Sequence, residues 1–293
     1  MPRPTTPGRF ADQSATIHRQ LLRAEILESR DVPDATGLTA TGAAAGTAPI
    51  VTVYNSDGSV HLSFLAFEST FTGGVTVAVA DVTGDGVPDV VVVPGAGGGP
   101  LMKVFNAETG APELSRFVFE DSFRNGLTVA AGDVTGAGYA QILIGAGYGG
   151  APRVQLYDAV TNTTMRDYFA FDPNSRGGVS VAIASLVPNG PEEIITGGVN
   201  GATPQVTVTD GANNVTLGTY TVSGSTNSTS VSPSLRDLLD STPVGNSVTP
   251  VGVSVTVGNP DSLGVRHLLI SLYDSTTMGP QIDVDPTTFA TLP

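Results

Sequence analysis

The chain has 293 residues, no cysteine, no tryptophan and a formal net charge of −14 at pH 7. The absence of cysteine excludes disulfides and thiol chemistry, and the excess of carboxylates disfavours nucleic acid and anionic membrane surfaces as partners. No run of about eighteen apolar residues occurs, so the sequence predicts no membrane span. Glycine is abundant at 36 residues, which favours short strands and tight turns over helices.

Residues 1–45 are predicted to form an N-terminal head and a flexible linker. The head lacks the apolar stretch of a secretory signal, and segment 20–33 has the pattern of a short amphipathic helix. The stretch 36–47 is rich in Thr, Gly and Ala, which is typical of a flexible linker. Residues 27–33, LESRDVP, resemble the Leu-Glu-x-Arg-x-Val-Pro element near the N-termini of many planctomycete envelope and exported proteins. This resemblance implies export, and the alternative is a helix before a disordered tether.

From residue 46 onward the sequence repeats at a step of 52 residues. The clearest matching stretches are Gly73–Ala78, Asn125–Ala130 and Gly177–Ala182. An aromatic residue keeps the same step at Phe67, Phe119 and Phe171. A fixed register of this kind indicates a repeat architecture, in which each copy is one structural unit. The sequence therefore predicts a repeat domain over residues 46–293.

One repeat divides into four short segments that have the pattern of β-strands. In the first full repeat these are Val75–Val82, Asp89–Pro94, Leu101–Phe105 and Leu114–Phe119. Each is apolar or alternating, rich in β-branched or aromatic residues, and bounded by Gly, Pro, Asn or Asp. Four antiparallel strands in about fifty residues are typical of a propeller blade. The predicted fold class is therefore an all-β propeller of four-stranded antiparallel blades.

The sequence leaves more than one number of blades open. Residues 50–67 supply only the last two strands of a unit, and a weaker copy of the repeat covers 253–285. Between the full repeats and that copy lies a Ser/Thr-rich insertion at 223–250, which contains a predicted short helix at 234–240. Pairing strands from both chain ends in one blade would remove an exposed sheet edge. We expect about four blades with the last one shared, and five blades with incomplete edges or an open array are the alternatives.

The loop Asp81–Asp89, between the first two strands of the first full repeat, has the composition of a cation site. Its first, fifth and ninth residues are carboxylates, and its sixth is a glycine that permits a sharp turn. Oxygen ligands of this kind suit Ca²⁺ better than zinc or copper. The predicted ligands are the side chains of Asp81, Thr83, Asp85 and Asp89 and the backbone carbonyl of Val87.

The alternative is an ordinary Asp/Gly-rich β-turn, and the equivalent loops help to weigh it. Loop Asp133–Gln141 keeps the turn residues but lacks two of the carboxylates, and loops 185–193 and 259–267 depart further. The turn therefore forms without the acids. Three like charges within Asp81–Asp89 repel one another unless a cation neutralises them, so calcium is expected in this loop and not in the others.

The first repeat also resembles a known family. Its Gly-Val-Thr-Val-Ala strand, the loop Asp81–Asp89, the strand Val90–Val93 and the turn Pro94–Gly97 resemble the FG-GAP repeats of integrin α-subunit propellers and related bacterial surface proteins. The resemblance covers residues 46–222 well and 251–285 weakly. It implies a propeller that binds Ca²⁺ through its Asp-rich loop, which carries over onto Asp81, Asp85, Asp89 and the Val87 carbonyl. The Phe-Gly pair of the family is Gly-Val or Gly-Leu here, and Thr83 replaces the usual Asp or Asn.

The expected function is that of a calcium-stabilised binding or scaffold module of the cell exterior, extracellular or in the cell envelope. Its partner would be a protein or a polysaccharide at the cell surface. The alternatives are an extracellular carbohydrate-active enzyme or lectin that uses a propeller face, and a degenerate propeller with a structural role alone. An enzyme would need convergent acid and base groups, and the sequence identifies no catalytic residue.

Two other motifs are set aside. His18, His61 and His267 lie far apart and have no metal-ligand spacing. The run Gly95–Gly99 suggests a dinucleotide-binding loop, but such a loop must be followed by a helix whose N-terminus holds the phosphate. A proline and another predicted strand follow it here, so the run is interpreted as a structural turn.

Overall fold

A computed structural model describes residues 37–186, 192–200, 203–221, 252–260, 266–273 and 278–284. Within these ranges the regular secondary structure consists of 18 strands in five antiparallel sheets. No helix in the described ranges is long and apolar enough to cross a membrane.

The strands follow one another along the chain and through the sheets in the same order. The first sheet contains β1 (Thr39–Gly42), β2 (Ile50–Tyr54) and β3 (Val60–Leu65), and the second contains β4 (Val75–Ala80), β5 (Asp89–Pro94), β6 (Leu101–Asn106) and β7 (Pro112–Phe117). The third contains β8 (Leu127–Gly132), β9 (Gln141–Ala146), β10 (Arg153–Asp158) and β11 (Thr163–Phe169). The fourth contains β12 (Val179–Ala184), β13 (Glu193–Asn200), β14 (Thr203–Asp210) and β15 (Thr216–Thr221). The fifth contains β16 (Gly252–Pro260), β17 (Arg266–Tyr273) and β18 (Met278–Val284).

The sheets pack face to face, and the apolar core lies between them. Alternate residues of a strand point to opposite faces, so Val90 and Val92 of β5 join a core shared with the first sheet, and Val91 and Val93 join one shared with the third. Each fully buried valine contributes on the order of 1.5–3 kcal/mol. Because both faces of an inner blade are buried in this way, its central strand is a continuous run of valine.

The innermost strands β1, β4, β8, β12 and β16 are neighbours in that order, as in blades arranged around an axis. The fold is a β-propeller, which confirms the predicted class. The described residues form three complete four-stranded blades and, before and after them in the chain, one three-stranded sheet each. This arrangement is consistent with about four blades, and the incomplete sheets at the edges match the alternative that the sequence left open. Among the described strands the expected sharing of one blade does not occur, because β1–β3 and β16–β18 form separate sheets.

The first sheet begins earlier than the boundary at residue 46 that the sequence indicates. Residues 39–42, within the predicted linker 36–47, form β1 and pair with β2 from Thr39 opposite Tyr54 to Gly42 opposite Val51. Leu38 and Ala40 are buried. The pattern was too short and too rich in Thr, Gly and Ala to be recognised as a strand. Residues 1–36, the insertion 223–250 and its predicted helix lie outside the described residues.

The aromatic residues of the repeat occupy equivalent places, as the 52-residue step predicts. Phe119 and Phe171 are buried, and Phe67 is half-buried against the first core. Phe119 packs edge-on against Phe123 with ring centroids 5.6 Å apart. Phe171 instead lies against Gly198, where an added Cβ would come within 2.5 Å of the ring, so a glycine is needed there.

Side chains from the outer strands connect each blade to the next one. His61 of β3 lies 3.0 Å from the carbonyl oxygen of Glu108 in the second blade. Arg116 of β7 donates to Thr164 Oγ1 at 3.1 Å in the third blade, and Arg166 of β11 donates to the Ala212 carbonyl at 3.0 Å in the fourth. These contacts join neighbouring blades at their periphery, outside the apolar core.

Candidate functional site

The predicted calcium loop joins β4 to β5 at one end of the second blade. The Asp81 carboxylate lies at its centre, where Oδ1 accepts a hydrogen bond from the Gly84 N–H at 2.7 Å and Oδ2 accepts one from the Gly86 N–H at 2.9 Å. Both glycines have positive φ angles, 74° and 83°, which a residue with a Cβ adopts only with strain. Asp81 and the two glycines together therefore fold the loop back on itself.

The middle of the loop is a local turn. Asp85 is exposed, and its Oδ1 accepts a hydrogen bond from the Val87 N–H at 2.8 Å, two residues further on. This is the ordinary turn-forming contact of an aspartate. The Thr83 hydroxyl donates to Asp89 Oδ2 at 3.1 Å.

Asp89 occupies a different environment, because it is the first residue of β5 and has no exposed surface. Its Oδ2 accepts hydrogen bonds from the Val82 N–H at 2.9 Å and the Thr83 N–H at 3.0 Å. Its Oδ1 is buried and has no hydrogen-bond donor within the described residues. Burial, and then contact with the carboxyl group of Glu113 on β7, raise the pKa of Asp89 to about 7.

The five predicted ligands fit a bound cation only in part. The carboxylates of Asp81 and Asp85 accept hydrogen bonds from N–H groups of their own loop. Among the residues that the structure describes, no three Asp, Glu, His or Cys side chains form a group that could hold a metal ion. Asp89 Oδ1 is the oxygen that fits, because it is buried and lacks a donor. Calcium at this loop therefore stays a prediction.

The equivalent loop of the third blade has the same hydrogen bonds with fewer acids. Asp133 accepts from the Gly136 and Gly138 N–H groups at 2.7 Å each, in the way that Asp81 accepts from Gly84 and Gly86. Gln141 is fully buried, and its Oε1 accepts from the Val134 N–H at 3.0 Å. The neutral amide of Gln141 thus accepts in this loop the hydrogen bond that Asp89 Oδ2 accepts from Val82 in the second blade.

The fourth blade repeats the contact with a third residue type. Glu193 is buried at the start of β13, and its Oε2 accepts from the Leu186 N–H at 3.0 Å. Burial raises the pKa of Glu193 above its usual range. The ninth residue of the loop therefore has a structural role in three consecutive blades, which sequence reasoning missed. The signal was present, because a hydrogen-bond acceptor recurs at 52-residue steps where the second strand begins.

Glu113 is the second residue that the sequence did not identify. It lies on the outer strand β7, and its equivalents one and two repeats later are Met165 and Leu217. The contact between Glu113 and Asp89 is therefore a feature of the second blade that has no counterpart in the next two. No pattern in the sequence indicates it, because the two residues lie on β5 and β7 of one sheet, with β6 between them.

No protein-family model matches the chain. No curated protein matches it either. Among solved structures it is similar to the exotype rhamnogalacturonan lyase YesX, with 13% identity and a TM-score of 0.47 over 90% of this chain and 47% of the lyase. It is also similar to rhamnogalacturonan lyase YesW, with 13% identity and a TM-score of 0.47 over 86% and 51% of the two chains.

A third similar structure is the Dos1 propeller, with 13% identity and a TM-score of 0.44 over 83% of this chain and 54% of that one. The chain thus spans about half the length of each of these three structures. At this level of identity the likeness concerns the fold alone.

Proposed function

We propose that the chain is a binding or scaffold module of the cell exterior, and that it presents the loops and edges of its blades to a protein or polysaccharide. The observation that supports this function is the loop after the first strand of the blade. The same backbone hydrogen bonds close it in the second and third blades, with Asp81 and Asp133 in equivalent places. A rigid scaffold with equivalent loops at regular steps suits a binding surface.

We further propose that the second blade takes one Ca²⁺ at its first loop. The buried Asp89 carboxyl group lies against that of Glu113, and two carboxylates in contact cannot both be ionised without a neutralising partner. A divalent cation would supply that neutralisation and would draw Asp81 and Asp85 towards it. An affinity of about 10⁻⁴–10⁻³ M is expected, as in extracellular modules with few charged ligands.

Thermal unfolding in calcium and in a chelator tests the metal. A cation that binds only the folded state stabilises it by RT ln(1 + [Ca²⁺]/Kd), about 1 kcal/mol at millimolar calcium. Calcium should therefore raise the melting temperature of the wild-type chain, and Asp85→Ala should abolish the rise. Ala137→Asp is the matched control and should not create a second site, because Gln141 still lacks a charge. A calcium-dependent rise in the melting temperature that persists in Asp85→Ala would contradict the proposed metal site.

A turnover assay tests the binding module against an enzyme. The full chain should bind surface polysaccharide or protein preparations without changing them. Release of reducing ends or unsaturated sugars from a polysaccharide, above the rate of a heat-inactivated sample, would contradict the proposed function.

A further inference from the structure

We propose that the blade ends opposite the Asp81–Asp89 loop bind an extended polysaccharide that carries carboxylate groups. The inference rests on the binding function proposed above and assigns that function a surface and a ligand class. The surface, here called the aromatic–arginine rim, consists of five residues of the second and third blades: Phe117, Arg124, Tyr148, Phe169 and Arg176.

Three aromatic rings of the rim are exposed to solvent. Phe117 ends β7 and Phe169 ends β11, exactly one 52-residue step later, and their side chains are 59% and 50% exposed. Tyr148, in the loop between β9 and β10, is 49% exposed. Large rings left in water at equivalent places of two consecutive blades indicate a surface on which a ligand stacks.

An arginine follows each phenylalanine by seven residues, at Arg124 and Arg176. Arg124 Nη1 donates to the carbonyl oxygens of Asp121 and Phe123, and Arg176 Nη1 donates to those of Pro173 and Ser175 at 2.9 and 2.8 Å. Each guanidinium is thus fixed by one nitrogen to the turn that leads into the next blade. The other two nitrogens have no hydrogen-bond partner within the described residues, and both arginines are exposed.

The rings and the arginines lie next to one another. A Cβ placed on Gly99 would be 3.9 Å from both Phe117 Cε1 and Arg124 Nη1, so the two side chains flank the same glycine. The loop of Tyr148 lies between the two pairs. Asn125 Nδ2 donates to the Tyr148 carbonyl at 3.2 Å, and the Gly149 N–H donates to the Arg176 carbonyl at 2.8 Å. The order along the rim is therefore Phe117 with Arg124, then Tyr148, then Arg176, and Phe169 precedes Arg176 by the same seven residues that separate Phe117 from Arg124.

This arrangement suits a polymer whose units repeat, because the same pair is presented twice, one blade apart. Aromatic faces stack against the C–H faces of pyranose rings, and a fixed guanidinium with free N–H groups matches a carboxylate by two parallel hydrogen bonds. Asp121 and Asp172 lie in the same two turns and keep the local charge low. Long-range charge attraction for an anionic chain is therefore weak, and stacking supplies the larger share of the binding.

Binding of polygalacturonate to the full chain, measured by isothermal titration calorimetry and affinity electrophoresis, tests the proposal. Replacing both Phe117 and Phe169 by alanine should weaken binding by about tenfold or more, because stacking on both blades is lost. Replacing Arg124 and Arg176 by threonine, the residue that the first blade has at this position as Thr72, should weaken it by about tenfold. Lysine at both positions keeps the charge and should restore only part of the affinity, because lysine cannot form two parallel hydrogen bonds.

The first blade supplies a matched control. Leu65 is the equivalent of Phe117, is also exposed and has no arginine partner, so Leu65→Ala should leave binding unchanged. Unchanged melting temperatures of the rim variants would show that they fold. Full affinity in folded variants of both phenylalanines and both arginines would overturn the proposal.

Other probes separate the ligand classes. Equal binding of carboxyl-reduced polygalacturonate, of polyglutamate or of oligothymidylate would overturn the proposal in favour of a neutral glycan, simple charge attraction or nucleic acid. No binding of polygalacturonate, alginate or hyaluronate would overturn it while leaving the binding-module function intact. Turnover of the polymer would instead contradict that function, so the two failures are distinguishable.

Discussion

Loops Asp81–Asp89 and Asp133–Gln141 have almost the same backbone contacts but differ by two carboxylates. In both, the first residue accepts hydrogen bonds from loop N–H groups, two at Asp81 and four at Asp133, and the ninth accepts one from the residue after the first. The loop of the third blade shows that this geometry is complete with a neutral amide. The additional acids of the second blade are therefore not needed for the turn, and the buried Asp89 carries an electrostatic cost that Gln141 does not.

The largest loss of stability is expected from a substitution at Gln141, in the loop Asp133–Gln141. Gln141 also donates from Nε2 to the Tyr139 carbonyl at 3.0 Å, so Gln141→Leu removes the partner of that carbonyl. It also removes one of the two acceptors of the Val134 N–H, which keeps the Gly132 carbonyl at 3.1 Å. An unpaired buried group costs about 1–3 kcal/mol, and a loss of that size in the free energy of unfolding is expected. Urea denaturation measures it. Gln205→Leu, at a more accessible strand position, is the control. An equal loss in the free energy of unfolding there would contradict the role of the Gln141 hydrogen bonds in closing the loop.

The second prediction concerns pH in the absence of divalent cations. The pKa of Asp89 is about 7 in the folded state, above its ordinary value of 3.8 in the unfolded chain. The contribution of Asp89 to stability is therefore fully present below pH 3.8 and is lost as the pH rises through 7. Asp89→Asn should make the chain more stable than wild type at pH 8, by an amount on the order of 1–2 kcal/mol, and the difference should shrink towards pH 5.

Urea titrations of both proteins between pH 5 and pH 8, with a chelator present, give the measurement. Gln141→Glu is the reciprocal change, since it places an acid at the equivalent position of the neutral loop. It should create a new loss of stability at high pH. Parallel pH profiles for the wild-type chain and Asp89→Asn would contradict the assignment.

The third prediction concerns the first carboxylate of each loop, Asp81 and Asp133. Asp81→Ala deletes an acceptor for two loop N–H groups and Asp133→Ala deletes an acceptor for four, which costs about 1 kcal/mol or more at a partly exposed turn. In a chelator the loss in the melting temperature should be at least as large for Asp133→Ala as for Asp81→Ala. In millimolar calcium the loss for Asp81→Ala should be larger, because that variant also loses the proposed metal. Equal losses in both conditions would mean that the two loops are the same kind of turn.

The smallest change in stability is expected from a substitution at Glu113. Glu113→Met introduces the residue that the third blade has at this position as Met165. It removes the carboxyl group that lies against Asp89 but leaves the burial of Asp89 unchanged. Stability at pH 8 in a chelator should rise by about 0.5–1 kcal/mol, less than in Asp89→Asn, because burial is the larger cause of the raised pKa. A decrease would show that Glu113 stabilises the blade in another way.

The sequence by itself determined the repeat, its 52-residue step and the strand content of a blade. These follow from local patterns, since side chains alternate along a strand and glycine or asparagine marks each turn. The valines of β5 could be recognised as buried on both faces for the same reason. β1 could not be recognised, because Thr39–Gly42 has no strong strand pattern and is held by its pairing with β2 and by the packing of Ala40 against the second blade.

The tertiary structure decided how the candidate sites are built. The sequence placed three aspartates in one loop, but the fold turns Asp81 and Asp85 to loop N–H groups and buries Asp89 against Glu113, which is 24 residues away along the chain. The environment of a carboxylate depends on which strands cover it and which charges face it, and both are set by packing between elements that are distant in sequence. The aromatic–arginine rim has the same origin, because the sheet ends place Phe117 beside Arg124, and the next blade then repeats that pair.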